Sequence, residues 1–113
     1  MTDRQFYLAW SEIPNYSDPD AYISDLALSS MWGDDQESEI PTERINYLGR
    51  LWDVYHMSVK DICKAANLTQ AALAARFGIP KRTVEDWCRG VAKCAPYIRL
   101  MMCECLGLMT PEA

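Results

Sequence analysis

TQAALAARFGIPKRTVEDWCRG, residues 69–90, sets two short segments of helical apolar spacing on either side of a glycine. Leu73, Ala74 and Phe77 recur at three- and four-residue intervals, which predicts a helix from Gln70 to Phe77 with those side chains buried. Thr69 can cap its start. Gly78 can end it and permits a sharp turn. Ile79 follows as an apolar residue able to fill the angle between two helices. Pro80 opens a second helix at its first turn, where the missing N–H costs nothing. Over about residues 81–88, Val84 and Trp87 stand at i and i+3 and face back onto the first helix. Ala74 is small where the helices meet, and a larger side chain there would push them apart.

The flanks extend the same pattern. Ser58-Val59-Lys60-Asp61 reads as a capping box with Asp in place of Glu. Val59, Ile62, Cys63 and Ala66 then give a short apolar stripe, and Asn67 tolerates the left-handed turn that would end it. After Gly90, Pro96 precedes one more helix, Tyr97 to Leu106, stopped by Gly107.

Two short helices joined by a tight glycine turn are the helix-turn-helix layout. The segment resembles the Cro/repressor-like (XRE-type) helix-turn-helix family. The matching residues are Thr69-Gln70, Leu73-Ala74, Gly78, Thr83-Val84, and Trp87 followed by Gly90, and the likeness covers about residues 59–108. It implies that the second helix enters the DNA major groove with its N-terminal residues at base edges. The residues it puts in contact with DNA are Gln70, Arg76, Pro80, Lys81, Arg82, Thr83, Glu85, Asp86, Arg89 and Lys93. Lys81 and Arg82 would read guanine or hold phosphates, and Glu85 or Asp86 would accept from cytosine or simply solubilise the helix. Gln70 would meet a phosphate together with the amides of its helix start. Arg76, Lys93 and Arg99 would add attraction if they share that face. The chain departs from the family pattern in the two acids of the second helix, in a short C-terminal tail, and in everything before residue 57.

Charge sharpens the contrast between the halves. The 113 residues carry a net charge of −5, which on its face argues against a polyanionic partner. Residues 1–56 hold 3 basic and 11 acidic side chains, whereas residues 57–113 hold 8 and 5. The −8 and +3 halves are electrostatically different objects, and the basic residues gather around the quoted stretch. Half the residues are hydrophobic, a globular proportion. No apolar run spans a bilayer and no secretory signal opens the chain, which predicts a cytoplasmic protein.

No catalytic constellation, phosphate loop or nucleophile elbow is present, so the sequence reads as non-enzymatic and without cofactor. Five cysteines in a chain without an export signal read as reduced thiols. They lack the paired spacing of a zinc site and read as small apolar core residues. His56, near a helix end, reads as a carbonyl cap.

The N-terminal half carries nine of the twelve aromatic residues. Phe6, Trp10 and Ile13 suggest a short helix. Asp18-Pro19 starts another that runs to Trp32 and stops at Gly33, with Tyr22, Ile23, Leu26 and Ala27 on one face. Asp34 to Glu39 reads as an acidic linker. Pro41 and Thr42 open a helix to His56 or Met57, with Ile45, Leu48, Leu51 or Trp52, and Tyr55 inward, and Gly49 marking close packing or merely a cost of about 1 kcal/mol.

The expected fold is thus all-α, a small helical bundle containing the helix-turn-helix plus an additional N-terminal helical region. The expected division is an acidic, aromatic-rich region 1–40 and a helical domain 41–113. The expected function is sequence-specific binding of double-stranded DNA by a homodimer whose exposed-type N-terminal aromatics form the dimer surface. By analogy, small proteins of this layout without a ligand domain are similar to regulators carried by phages and conjugative elements. The alternative is a protein-binding module or inhibitor, in which residues 1–56 engage a basic partner surface or fold over the basic helix until displaced.

Overall fold

The structure is a computed structural model that describes residues 2–33 and 40–109. The acidic run Asp34 to Glu39 lies outside the described residues. Among those described there are seven α-helices, two short 3-10 turns and no strand. They fall into two compact units that part between Tyr55 and His56. This is one helix later than the division at residue 40 read from the acidic run, and it coincides with the step in charge.

The first unit is built on aromatic packing. Helix α1 (Asp3–Glu12) starts at a capping box between Thr2 and Gln5 and continues into a 3-10 turn, Ile13–Asn15. Helix α2 (Pro19–Ala27) is capped by the Asp18 carboxylate, which accepts from the Ala21 amide. It ends five residues earlier than the sequence suggests. The Ser29 hydroxyl accepts from the Met31 amide and starts a separate 3-10 turn, Ser30–Trp32, which Gly33 ends in the left-handed conformation. Serine competes with the helical ladder in this way through its own local bonds. Helix α3 (Thr42–His56) buries Leu48, Leu51 and Val54, while Ile45 is exposed. Leu48 and Leu51 are inward as expected, whereas Ile45 is not, and Val54 is buried where Tyr55 is half-buried.

Tyr22 is fully buried, donates a 2.8 Å hydrogen bond to the Ala9 carbonyl, and packs on Tyr16 and Trp52. Burial in this apolar setting pushes its phenol well above the usual range. Trp10 stacks on Phe6 and meets Tyr55 edge-on. Trp32 donates to the Leu26 carbonyl at 2.7 Å and lies under the Arg44 guanidinium, 4.4 Å from the ring centre. The aromatics expected on a dimer surface thus mostly hold this unit together, with Tyr7 the exposed exception. A short, helical, acidic segment has few other ways to bury enough area per residue.

The second unit has four helices: α4 (Val59–Ala66), α5 (Gln70–Phe77), α6 (Lys81–Arg89) and α7 (Pro96–Cys105). Its core is Val59, Ile62, Cys63, Leu73, Ala74, Val84, Met102, Cys103 and Met109. Each fully buried aliphatic side chain contributes about 2 kcal/mol of transfer free energy. The Ser58–Asp61 capping box is formed in both directions, at 3.0 Å each way. All four helices end alike. Asn67, Gly78, Gly90 and Gly107 take positive φ, and the following amide bonds back to the carbonyl five residues earlier: Leu68 to Cys63, Ile79 to Ala74, Val91 to Asp86, Leu108 to Cys103. This satisfies carbonyls that the helix leaves free and fixes where the next segment departs. The cysteines are only partly core: Cys63 and Cys103 are buried, Cys88 and Cys94 half-buried, and Cys105 exposed.

Candidate nucleic-acid interface

The candidate site is the outer side of α6 and the turn before it. α5 ends at Gly78, whose φ of +65° is open to glycine and costly for other residues. Ile79, the next residue, is half-buried, and its amide bonds back to the Ala74 carbonyl at 2.9 Å. Pro80 is the N-cap of α6 and not its first helical residue, as the sequence suggested. Its carbonyl accepts from the Thr83 amide at 2.9 Å, so it serves the helix start as an acceptor. α5 packs on α6, with Leu73 and Ala74 of the first and Val84 of the second buried and Trp87 half-buried. The backbone position of α6 is therefore fixed from within by its apolar face.

The opposite face of α6 carries Lys81, Arg82, Glu85, Asp86 and Arg89. Lys81, Arg82 and Arg89 are exposed, and Glu85 and Asp86 are half-buried. Asp86 sits between two of the cations: its Oδ1 accepts from Arg89 at 2.6 Å and lies 3.7 Å from the Arg82 guanidinium. Three residues and four residues are the spacings at which helical side chains meet. Asp86 is thereby engaged with its own helix, which favours the solubilising and positioning role over reception of a cytosine amine. Lys93 is exposed on the loop after α6, and Gln70 is half-buried at the first position of α5. Thr69 caps α5 through the Ala72 amide at 3.0 Å.

Two basic residues point elsewhere. Arg76 reaches the Cys105 carbonyl at the end of α7, at 3.4 Å. Arg99, half-buried on α7, donates to the carbonyls of Met57 and, at 3.3 Å, Cys94. It ties the entrance of α4 to the loop before α7 and is a brace of the fold. No local signal in the sequence marks this, because Met57 is 42 residues away in the chain. The bonding of Arg82 and Arg89 through Asp86 was, by contrast, visible as spacing.

Among the described residues, no helix is long and apolar enough to cross a membrane, and no group of three or more potential ligands is placed to hold a metal ion. Compared with known families, residues 59–95 match the model described as helix-turn-helix. No curated protein and no solved structure matches the chain.

Proposed function

We infer, from the match of residues 59–95 to the helix-turn-helix model and from their likeness to the Cro/repressor-like type, a sequence-specific DNA-binding regulator that places α6 in the major groove. The observation that carries this is the exposed basic face of α6, with Lys81, Arg82 and Arg89 turned outward while Val84 fixes the helix from behind. Lys81 and Arg82 stand at the N-terminal end of α6, where recognition helices meet base edges. Gln70, Pro80, Thr83 and Lys93 flank them and contribute contacts to the adjoining backbone. Arg76 and Arg99, committed to carbonyls of their own unit, take a lesser part.

One recognition helix reads only a few base pairs, so the acting species is a homodimer on a two-fold related site. The −8 charge of residues 1–56 favours a second reading, in which that half docks on a basic partner protein.

Selection of bound sequences from random duplex DNA tests the proposal. A DNA-binding regulator enriches a motif, palindromic if it acts as a dimer, and its affinity falls steeply with salt. Substituting Lys81→Ala and Arg82→Ala together removes two phosphate or base contacts, and the salt slope falls by about 2. Absence of enrichment, with no retardation of any duplex at low salt, rejects the reading in favour of the protein partner.

A further inference from the structure

The outer face of α6 holds two acids, and the fold uses them differently. Arg82 stands three residues before Glu85 and Arg89 four after it, both at spacings where helical side chains meet. Both arginines turn to the neighbouring acid instead. Arg89 bonds to Asp86 at 2.6 Å, and the Arg82 guanidinium lies 3.7 Å from the same oxygen. Among the described residues Glu85 takes part in no hydrogen bond or ion pair, although it is only half-buried on the helix. Lys81, one turn before it, is exposed and likewise unengaged.

A carboxylate accepts hydrogen bonds and donates none. Toward the phosphates of a duplex it brings only repulsion. Against base edges its preference is sharp. In the major groove guanine presents N7 and O6, and thymine O4 beside a methyl group, so both offer a carboxylate acceptors or an apolar surface. Adenine presents its N6 amine next to the N7 acceptor. Cytosine presents its N4 amine with no acceptor beside it on the same base. The guanine paired with that cytosine offers O6 and N7, which a lysine ammonium takes.

We propose that Glu85 is a specificity-determining residue that fixes one base pair of the bound site as cytosine–guanine, by accepting a hydrogen bond from the cytosine amine. Lys81, at the i−4 position on the same face, takes the guanine of that pair. Asp86 has no such part, because its carboxylate is occupied by Arg82 and Arg89. The proposal rests on the DNA-binding reading above and names the base that this reading leaves open.

The experiment selects bound sequences from random duplex DNA with the full chain, side by side for wild type, Glu85→Ala and Glu85→Gln, and checks by thermal unfolding that all three fold alike. The wild-type motif is expected to hold one position at cytosine, once per half-site if the motif is palindromic. Glu85→Ala accepts any base at that position and keeps the rest of the motif. Glu85→Gln moves that position alone to adenine, because a glutamine amide bonds adenine N6 and N7 together. By fluorescence anisotropy, replacing the cytosine with thymine costs the wild type about tenfold or more in affinity, and costs Glu85→Ala far less. Variants that reproduce the wild-type motif overturn the proposal and leave Glu85 a solubilising side chain. So does a loss spread evenly over all positions. A wild type that enriches no motif and retards no duplex at low salt overturns the DNA-binding reading and this proposal with it, whereas an enriched motif that is indifferent to Glu85 overturns this proposal alone.

Discussion

The Asp86 carboxylate accepts a 2.6 Å hydrogen bond from Arg89, three residues on along α6, and the same oxygen lies 3.7 Å from Arg82, four residues back. One acid thereby restrains two of the three exposed cations on the outer face. The Arg82 and Arg89 side chains are 82 % and 60 % exposed, so the pairing adds little to stability. Its effect is on charge and direction. Asp86→Asn removes one negative charge from the face and loosens both arginines. Non-specific affinity for random duplex is expected to rise and discrimination for a selected site to fall, with stability within about 0.5 kcal/mol of wild type. Fluorescence anisotropy over a salt series measures the first two; a drop in non-specific affinity contradicts the account.

Gly78 sets the angle at which α6 leaves α5. A Cβ placed there meets nothing within 4 Å, so Gly78→Ala adds no clash. What it adds is the cost of holding alanine at φ +65°, about 1–2 kcal/mol. Urea unfolding should show a lower midpoint with unchanged slope. A slope that changes means the turn has rearranged instead of being strained.

The opposite sign is expected at Gly49, inside α3. Its added Cβ would lie 3.6 Å from the Ile23 Cδ1 atom, an ordinary contact. Of the two sequence readings, close packing or a mere propensity cost, the space favours the second, since it accepts a methyl group. Gly49→Ala is therefore expected to stabilise the first unit by about 0.5–1 kcal/mol through helix propensity. Thermal unfolding checks it, and a lowered midpoint would show that Ile23 cannot give way.

How much of this could be read from the chain depends on how far each cause reaches. The Ser58–Asp61 box, the Asn67 and Gly78 stops and the Asp86 spacings act within five residues, and the sequence displays them directly. The early end of α2 is also local, but it depends on Ser29 winning a contest with the helix, which pattern alone does not decide. Arg99 belongs to the other class. Counted along the chain it is another cation near a basic helix; placed in space it bonds to the Met57 and Cys94 carbonyls. The inward turn of the aromatics follows from a core the sequence could not assemble, since ring contacts such as Tyr22–Trp52 join residues 30 apart.

Arg99 can be separated from the exposed cations of α6 by experiment. Arg99→Met keeps the aliphatic length and removes the donors, leaving the Met57 and Cys94 carbonyls without them. The expected cost is about 1–3 kcal/mol in unfolding free energy. The dependence of DNA affinity on salt should keep its slope, because that slope counts phosphate contacts. Loss of slope without loss of stability would move Arg99 back to the interface.

The α4 capping box gives a pH signature. The Ser58 amide and hydroxyl bond to the Asp61 carboxylate and, with Lys64 and Lys60 nearby, hold it below its usual range. A carboxyl group whose folded value is depressed contributes stability above its unfolded value, near pH 4, and loses that contribution as pH falls through the folded value. Ser58→Ala removes the hydroxyl that caps the Asp61 amide and part of what stabilises the carboxylate, at about 1 kcal/mol near neutral pH. The gap between wild type and variant should therefore narrow on acidification, and the Asp61 carboxyl, followed by NMR, should titrate higher in the variant. A gap that stays constant from neutral pH to below the carboxylate range would assign the whole effect to the hydroxyl and none to Asp61.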